Sequence, residues 1–202
     1  MPNPDLPEKY TRAFSKQEIN AMPLRRWEGP VEVVRTENQR TKALKELENE
    51  PLLGFDTETR PVFKKGRKPN PPSLLQLATA DRVFLFQISL LPMSNGLLDL
   101  LAEDSIIKTG VAVRDDICGL QKLSDFTPGG FIDLSDISAQ SGMQTHGLRN
   151  MAANLLGFRI SKSAQCSNWA KDNLAKAQVT YAATDAWVSR ELYLAMKELE
   201  LL

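Results

Sequence analysis

The sequence predicts an α/β protein, and three observations carry that expectation. Short apolar runs bounded by Gly, Pro and Asp crowd into residues 31–86, and helical periodicity takes over from residue 96 onward. The chain of 202 residues is 42% hydrophobic and 25% charged, which suffices for one full core and matches ordinary globular composition. One domain is the expectation for residues 29–202, preceded by an arm over residues 1–28.

That arm is polar and punctuated by proline, read as partly disordered apart from a short helix at Ser15–Ala21, where Ser15 and Glu18 have the spacing of a capping box. Val31–Val34 reads as the first strand, and Thr36–Asn49 as an amphipathic helix turning Leu44 and Leu47 inward. Leu52–Thr57 is the next strand. Ser73–Thr79 and Arg82–Phe86 follow as two strands joined through Ala80 and Asp81, so the early strands run antiparallel. Beyond them the spacing predicts a helix over Gly96–Leu101, a short strand over Ile106–Thr109 and a helix over Gly110–Leu123. Asp133–Ser141, Gly147–Leu156 and Leu174–Leu199 complete a helical second half.

Composition narrows the function. Lys plus Arg and Asp plus Glu each number 25, so a net charge of zero removes the electrostatic case for wrapping long duplex nucleic acid. Gripping a few nucleotides remains open. Cys118 and Cys166 lack C-x-x-C spacing, which argues against zinc and against a disulfide framework. Met1–Arg26 has no apolar core of signal-peptide length and no run approaches a membrane span, so a cytoplasmic protein without membrane contact is expected.

The most informative residues are Asp56 and Glu58, in Phe55-Asp-Thr-Glu-Thr59 at the end of the second strand. Strand side chains alternate, so the two carboxylates share a face roughly 7 Å apart, with Thr57 between them pointing the other way. Paired acids repel unless a cation or solvent lies between them. In the helix after Gly110, Val113, Ile117 and Leu120 form an apolar stripe; Asp116 flanks it and Asp115 falls on the wetter side, which makes Asp116 a third ligand candidate. On the last helix Tyr181 and Asp185 are four apart and share a face, placing a phenol that can orient water one turn from a carboxylate. The basic run Lys64-Lys-Gly-Arg-Lys68 begins just after the acidic pair, with Lys65 and Arg67 as candidate phosphate contacts.

Phe55-Asp-Thr-Glu-Thr59, Gly110–Leu120 and Tyr181-Ala-Ala-Thr-Asp185 resemble the three motifs of the DEDDy class of 3′–5′ exonucleases, which includes ribonuclease D and the Werner exonuclease domain. Ser73–Ala78, Gly147–Gly157 and Ser167-Asn-Trp169 extend the likeness, so that it covers about residues 31–200. It implies a ribonuclease-H-like fold with a mixed sheet of about five strands and helices on both sides. It further implies that Asp56, Glu58, Asp116 and Asp185 hold two divalent ions, Mg²⁺ or Mn²⁺, with Tyr181 positioning the attacking water. The expected substrate is a single-stranded DNA or RNA 3′ end.

A sister class carries histidine five residues before its last aspartate, where this chain has Thr180; the only histidine, His146, lies far upstream and reads as a cap or surface residue. Thr59 stands where Werner-like domains usually carry an aromatic residue, so Thr57 and Thr59 enter the expected substrate contacts with a different grip on the terminal base. Little chain follows the third motif, which points to a stand-alone exonuclease. Trp169 and Trp187 are either core residues or stacking surfaces for bases. The alternative function is a nucleic-acid-binding or scaffolding module of the same fold without turnover; its signature would be a missing acid, and all are present.

Overall fold

The computed structural model describes residues 6–64, 66 and 68–202. Its centre is a mixed six-stranded sheet in the order β1-β4-β3-β2-β5-β6. The strands are β1 Val31–Val34, β2 Leu52–Thr59, β3 Pro72–Ala78, β4 Val83–Phe86, β5 Ile107–Gly110 and β6 Phe131–Asp133. β2, β3 and β4 form the antiparallel run expected from sequence, whereas β1 joins β4 and β5 joins β2 in parallel. The sheet thus exceeds the expected five strands by β6, parallel to β5 and only three residues long. So short a run carries no measurable alternation, and the helical reading of Asp133–Ser141 absorbed its last residue.

The helices are α1 Glu8–Thr11, α2 Lys16–Ala21, α3 Glu37–Leu47, α4 Asn95–Ala102, α5 Val113–Gln121, α6 Leu134–Gln140, α7 Leu148–Met151 and α8 Lys176–Glu198. Capping boxes start α2 at Ser15 with Glu18 and α3 at Thr36 with Gln39, each satisfying backbone N–H groups that a helix leaves unpaired. α5 begins three residues later than its periodicity suggests, because Gly110 closes β5 and Ala112 is left-handed at φ 58°. α7 widens into a π turn over Ala152–Leu156 and stops at Gly157, whose φ is 72°.

The two faces of the sheet are apolar in register with the strand period. Leu53 and Phe55 of β2, with Leu75 and Leu77 of β3, face a core built from Ala43, Leu44, Leu47, Leu97 and Leu120 of α3, α4 and α5. On the other face Leu74 and Ala78 of β3 meet Ala182, Ala183 and Ala186 of α8, which crosses β2, β3, β4 and β5. All seven residues of β3 are buried, as expected for a strand covered on both sides. Lys108 of β5 is also buried; its ammonium donates to the carbonyls of Leu100 (3.2 Å) and Glu103 (2.5 Å), satisfying the end of α4.

Residues 6–28 add no strand to the sheet but are tied to the body. Leu6 and Ile19 are buried, Asn154 donates to the Tyr10 carbonyl at 2.8 Å, and Arg25 N–H donates to the Arg159 carbonyl at 2.9 Å.

Candidate active site

The sheet's centre places the acids. Asp56 and Glu58 project from β2 toward α8, and Gly54, two residues earlier on the same face, determines how closely that helix approaches. A Cβ at Gly54 would lie 1.9 Å from the Ala186 carbonyl oxygen. With only hydrogen there, α8 settles against β2, and Asp185 comes to the acidic pair. Asp56, Glu58 and Asp185 each offer a carboxylate oxygen within 4.8 Å of the others.

Asp116 arrives from the opposite side of β2. α5 packs in the core that Leu53 and Phe55 face, and the Thr57 hydroxyl, on that same side of the strand, donates to the Asp116 carboxylate. Asp116 is half-buried and Asp115 exposed, the phase expected from the apolar stripe. Among the described residues it lies outside the tight group of three, although its charge is felt at both Asp56 and Glu58. The start of α5 is held by Asp133, whose carboxylate accepts from the N–H groups of Ala112 (2.9 Å), Val113 (3.0 Å) and Ser135 (2.9 Å). Charged acceptors on several backbone donors make strong anchors, so Asp133 positions Asp116 three residues into the helix.

Burial dominates the electrostatics. It pushes Asp56 well above the usual carboxylate range, assisted by the charges of Asp185 and Asp116. Glu58 is pushed up to about 10, first by burial and then by Asp56, Asp185 and Asp116. Asp185 rises to about 7 through burial, against the opposing effects of the Tyr181 hydroxyl and the positive charge of Lys162. Asp116 rises to about 6, again through burial, against its hydrogen bond from Thr57. Burial and the neighbouring Asp185 also raise Tyr181 well above the usual phenol range, so it is a neutral hydrogen-bond donor.

A cavity of about 330 Å³ opens over this group, lined by Asp56, Thr57, Glu58, Tyr181 and Asp185 together with Lys162 and Arg149. Sequence reasoning missed Lys162, Arg149 and Asp133. Arg149 lies in Gly147–Gly157, read as a helix and as part of the family likeness, and Lys162 follows the Gly157 turn in a stretch without a motif; Asp133 was legible as a helix start but not as the anchor of a different helix. Thr57 lines the cavity with its hydroxyl already engaged by Asp116, and Thr59 lies beyond the lining, past a register shift in the β2–β3 ladder. Lys65 and Arg67 are outside the described residues; beside them Phe63 is 84% exposed, in a loop that also presents Lys64 and Lys68. Trp169 is fully buried and closed to any base, while Trp187 is partly buried and stacks on Phe158. His146 is exposed, its ring 3.0 Å from the Ser138 hydroxyl.

A central strand ending in acids, with one acid from a helix on each side and a tyrosine one turn from the last, is a ribonuclease-H-like nuclease arrangement. Residues 31–200 match a family model described as 3′–5′ exonuclease, and the chain belongs to that family. It is 36% identical over 163 residues to exonuclease 3′–5′ domain-containing protein 2 of Mus musculus, covering 74% of this chain and 24% of that protein. Over 147 residues it is 31% identical to the bifunctional 3′–5′ exonuclease/ATP-dependent helicase WRN of the same organism, covering 70% of this chain and 10% of that protein. The chain therefore spans a quarter or less of these two relatives. The crystal structure of the Aedes aegypti Nibbler EXO domain superposes with a TM-score of 0.77 at 27% identity, covering 89% of this chain and 93% of that one.

Proposed function

We propose that the chain removes nucleotides from single-stranded nucleic acid 3′ ends, hydrolysing the terminal phosphodiester to release nucleoside 5′-monophosphates. The observation that carries this reading is the cluster of Asp56, Glu58 and Asp185, three carboxylates within 4.8 Å in a family of 3′–5′ exonucleases. Such a cluster fits a divalent cation. One carboxylate oxygen of Asp185 is buried without a hydrogen-bond partner, and burial alone does most to disfavour the charged forms. All-oxygen donors suit a hard ion, Mg²⁺ or Mn²⁺. Asp56, Glu58 and Asp185 would hold one ion, and Asp116, entering from the far side of β2, would complete the site for a second with Asp56.

When bound, the two ions neutralise the acids and the substrate phosphate and lower the pKa of the attacking water. The chain's own groups supply orientation. Tyr181, held neutral, directs its hydroxyl to the water so that a lone pair faces phosphorus. Lys162 brings a positive charge to the cavity wall where the phosphate enters. The water oxygen bonds to phosphorus as the bond to the 3′ oxygen breaks; water loses a proton to solvent and the 3′ oxygen gains one. The phosphate leaves as the 5′ group of the mononucleotide. The loop that follows β2 carries Phe63, Lys64 and Lys68, an aromatic face and charge that a single strand can use.

The test is shortening of 5′-labelled strands and release of labelled mononucleotide from 3′-labelled ones, with DNA and RNA of matched sequence, in Mg²⁺ and in Mn²⁺. We expect stepwise shortening from the 3′ end, abolished in Asp56→Ala. Undiminished activity in that variant overturns the assignment.

A further inference from the structure

Asp56, Glu58 and Asp185 line one cavity and repel a nucleic acid strand, so its affinity must come from cations set back from the chemistry. The net charge of zero means they must be local. The cavity over the acids does not stand alone. It shares Ser161 and Tyr181 with a second cavity of about 380 Å³, whose walls include Arg25, Arg26 and Lys176. That one shares Leu24, Arg25 and Arg26 with a third, of about 700 Å³, walled by Trp27, Phe158 and Trp187.

Leu24–Arg26 form the wall common to the second and third cavities, within the segment Pro23–Trp27, which precedes the residues 31–200 matched by the family model. It is built in through its backbone. Arg25 N–H donates to the Arg159 carbonyl and Arg159 N–H to the Pro23 carbonyl, both at 2.9 Å; Trp27 N–H donates to the Thr184 hydroxyl at 3.1 Å. Thr184 lies between Tyr181 and Asp185, so the segment is clamped to the catalytic turn of α8. Its cations are free to act: among the described residues Arg25 and Lys176 form no ion pair, and Arg26 has only a solvent-exposed one to Glu28 at 3.9 Å. At the far end the Trp187 ring stacks on Phe158 at 5.7 Å and 3°, with Trp27 5.8 Å away. Arginines leading to a cluster of aromatic rings are the two components by which proteins hold single strands without reading sequence.

We propose that the three cavities form one track for the substrate strand. It runs from the acids past Tyr181, over Arg25 and Arg26, to the Trp27–Trp187–Phe158 cluster, and Pro23–Trp27 is its strand-binding element. This rests on the exonuclease reading but concerns affinity and substrate length, which are measured apart from turnover.

The test is fluorescence anisotropy of labelled single strands from a dinucleotide to a dodecamer, in EDTA to prevent cleavage, across a salt series. The wild type is compared with an Arg25→Ala/Arg26→Ala protein and with an Arg82→Ala/Lys45→Ala control that removes the same charge beside α3. Both pairs preserve the backbone hydrogen bonds of Pro23–Trp27. We expect wild-type affinity to climb with length and the Arg25/Arg26 variant to lose that climb. Its dodecamer affinity should fall about tenfold and its salt slope should lessen by about two, with the control unchanged. An Arg25→Glu/Arg26→Glu protein should bind more weakly still. Equal losses in the variant and the control, or no loss in either, overturn the track. Absence of length-dependent binding by the wild type overturns it too, while mononucleotide release by the same preparation decides the exonuclease reading separately.

Discussion

Thr57 and Asp116 meet on the side of β2 turned away from the other acids, the threonine hydroxyl donating to the aspartate carboxylate. A residue lying between two acids in sequence thereby aims a third that lies 59 residues away. Thr57→Val keeps the shape and removes the donor. A hydrogen bond to a charged group contributes about 1.5–3 kcal/mol. We expect about a tenfold loss in kcat, with the first equivalent of Mn²⁺ bound normally because Asp56, Glu58 and Asp185 are untouched. Isothermal titration calorimetry beside steady-state kinetics checks both halves; loss of the first ion would contradict the division of the site between the two faces of β2.

The raised carboxylates make the metal-free protein pH-sensitive in a defined direction. Unfolded, these acids titrate near pH 4; folded, they titrate at about 6 for Asp116, about 7 for Asp185 and about 10 for Glu58. The folded state therefore binds more protons across that window, and stability is full at the acidic end and falls as pH rises through the folded values. Lys108, lowered to about 8 by burial, acts oppositely above that pH, since its cost is relieved as the ammonium deprotonates. Thermal melts in EDTA should show Tm falling between pH 5 and about pH 8. Saturating Mn²⁺ should raise Tm more at the alkaline end, because binding requires the carboxylates ionised. A Tm in EDTA that rises with pH across this interval would refute the burial argument.

Gly54 sets the distance between β2 and α8. Gly54→Ala places a methyl group within 1.9 Å of the Ala186 carbonyl, which is backbone and cannot rotate away. Overpacking of this kind costs about 1–3 kcal/mol, and α8 must shift to accommodate it. We expect a lowered Tm together with weakened Mn²⁺ binding, since Asp185 moves with the helix. Unchanged affinity in a destabilised variant would show that Asp185 follows β2 by some other contact.

Tyr181→Phe separates orientation from binding. The hydroxyl lies beside Asp185 but is neutral, so its removal should leave the ion-binding acids in place and lower kcat by about a hundredfold. Equal metal affinity by calorimetry with depressed turnover is the expected pair of results. Lost metal affinity would assign the phenol to the metal site.

Much of this arrangement was legible in the sequence, for reasons tied to period. Asp56 and Glu58 share a strand face by alternation, Asp116 and Asp115 separate by helical phase, and Tyr181 and Asp185 stack by a four-residue interval; each relation is local and each recurs in the structure. The capping boxes at Ser15 and Thr36 are local in the same way. What escaped depends on distant partners. β6 is too short to show a pattern, and Asp133 anchors a helix 20 residues before it through backbone N–H groups that carry no sequence signal. Lys162 joins the cavity only because the turn at Gly157 redirects the chain. The backbone ties of the Pro23–Trp27 segment are equally silent in sequence.

The chain contains three tryptophans, and their placement makes the site visible by light. Trp169 is sealed in the core and gives a constant blue-shifted background, whereas Trp187 lies two residues beyond Asp185 and packs between Phe158 and Trp27. A displacement of that turn of α8 would change the ring contacts of an intrinsic fluorophore, so we expect metal binding at the neighbouring acids to register in the unlabelled protein as a change in emission intensity.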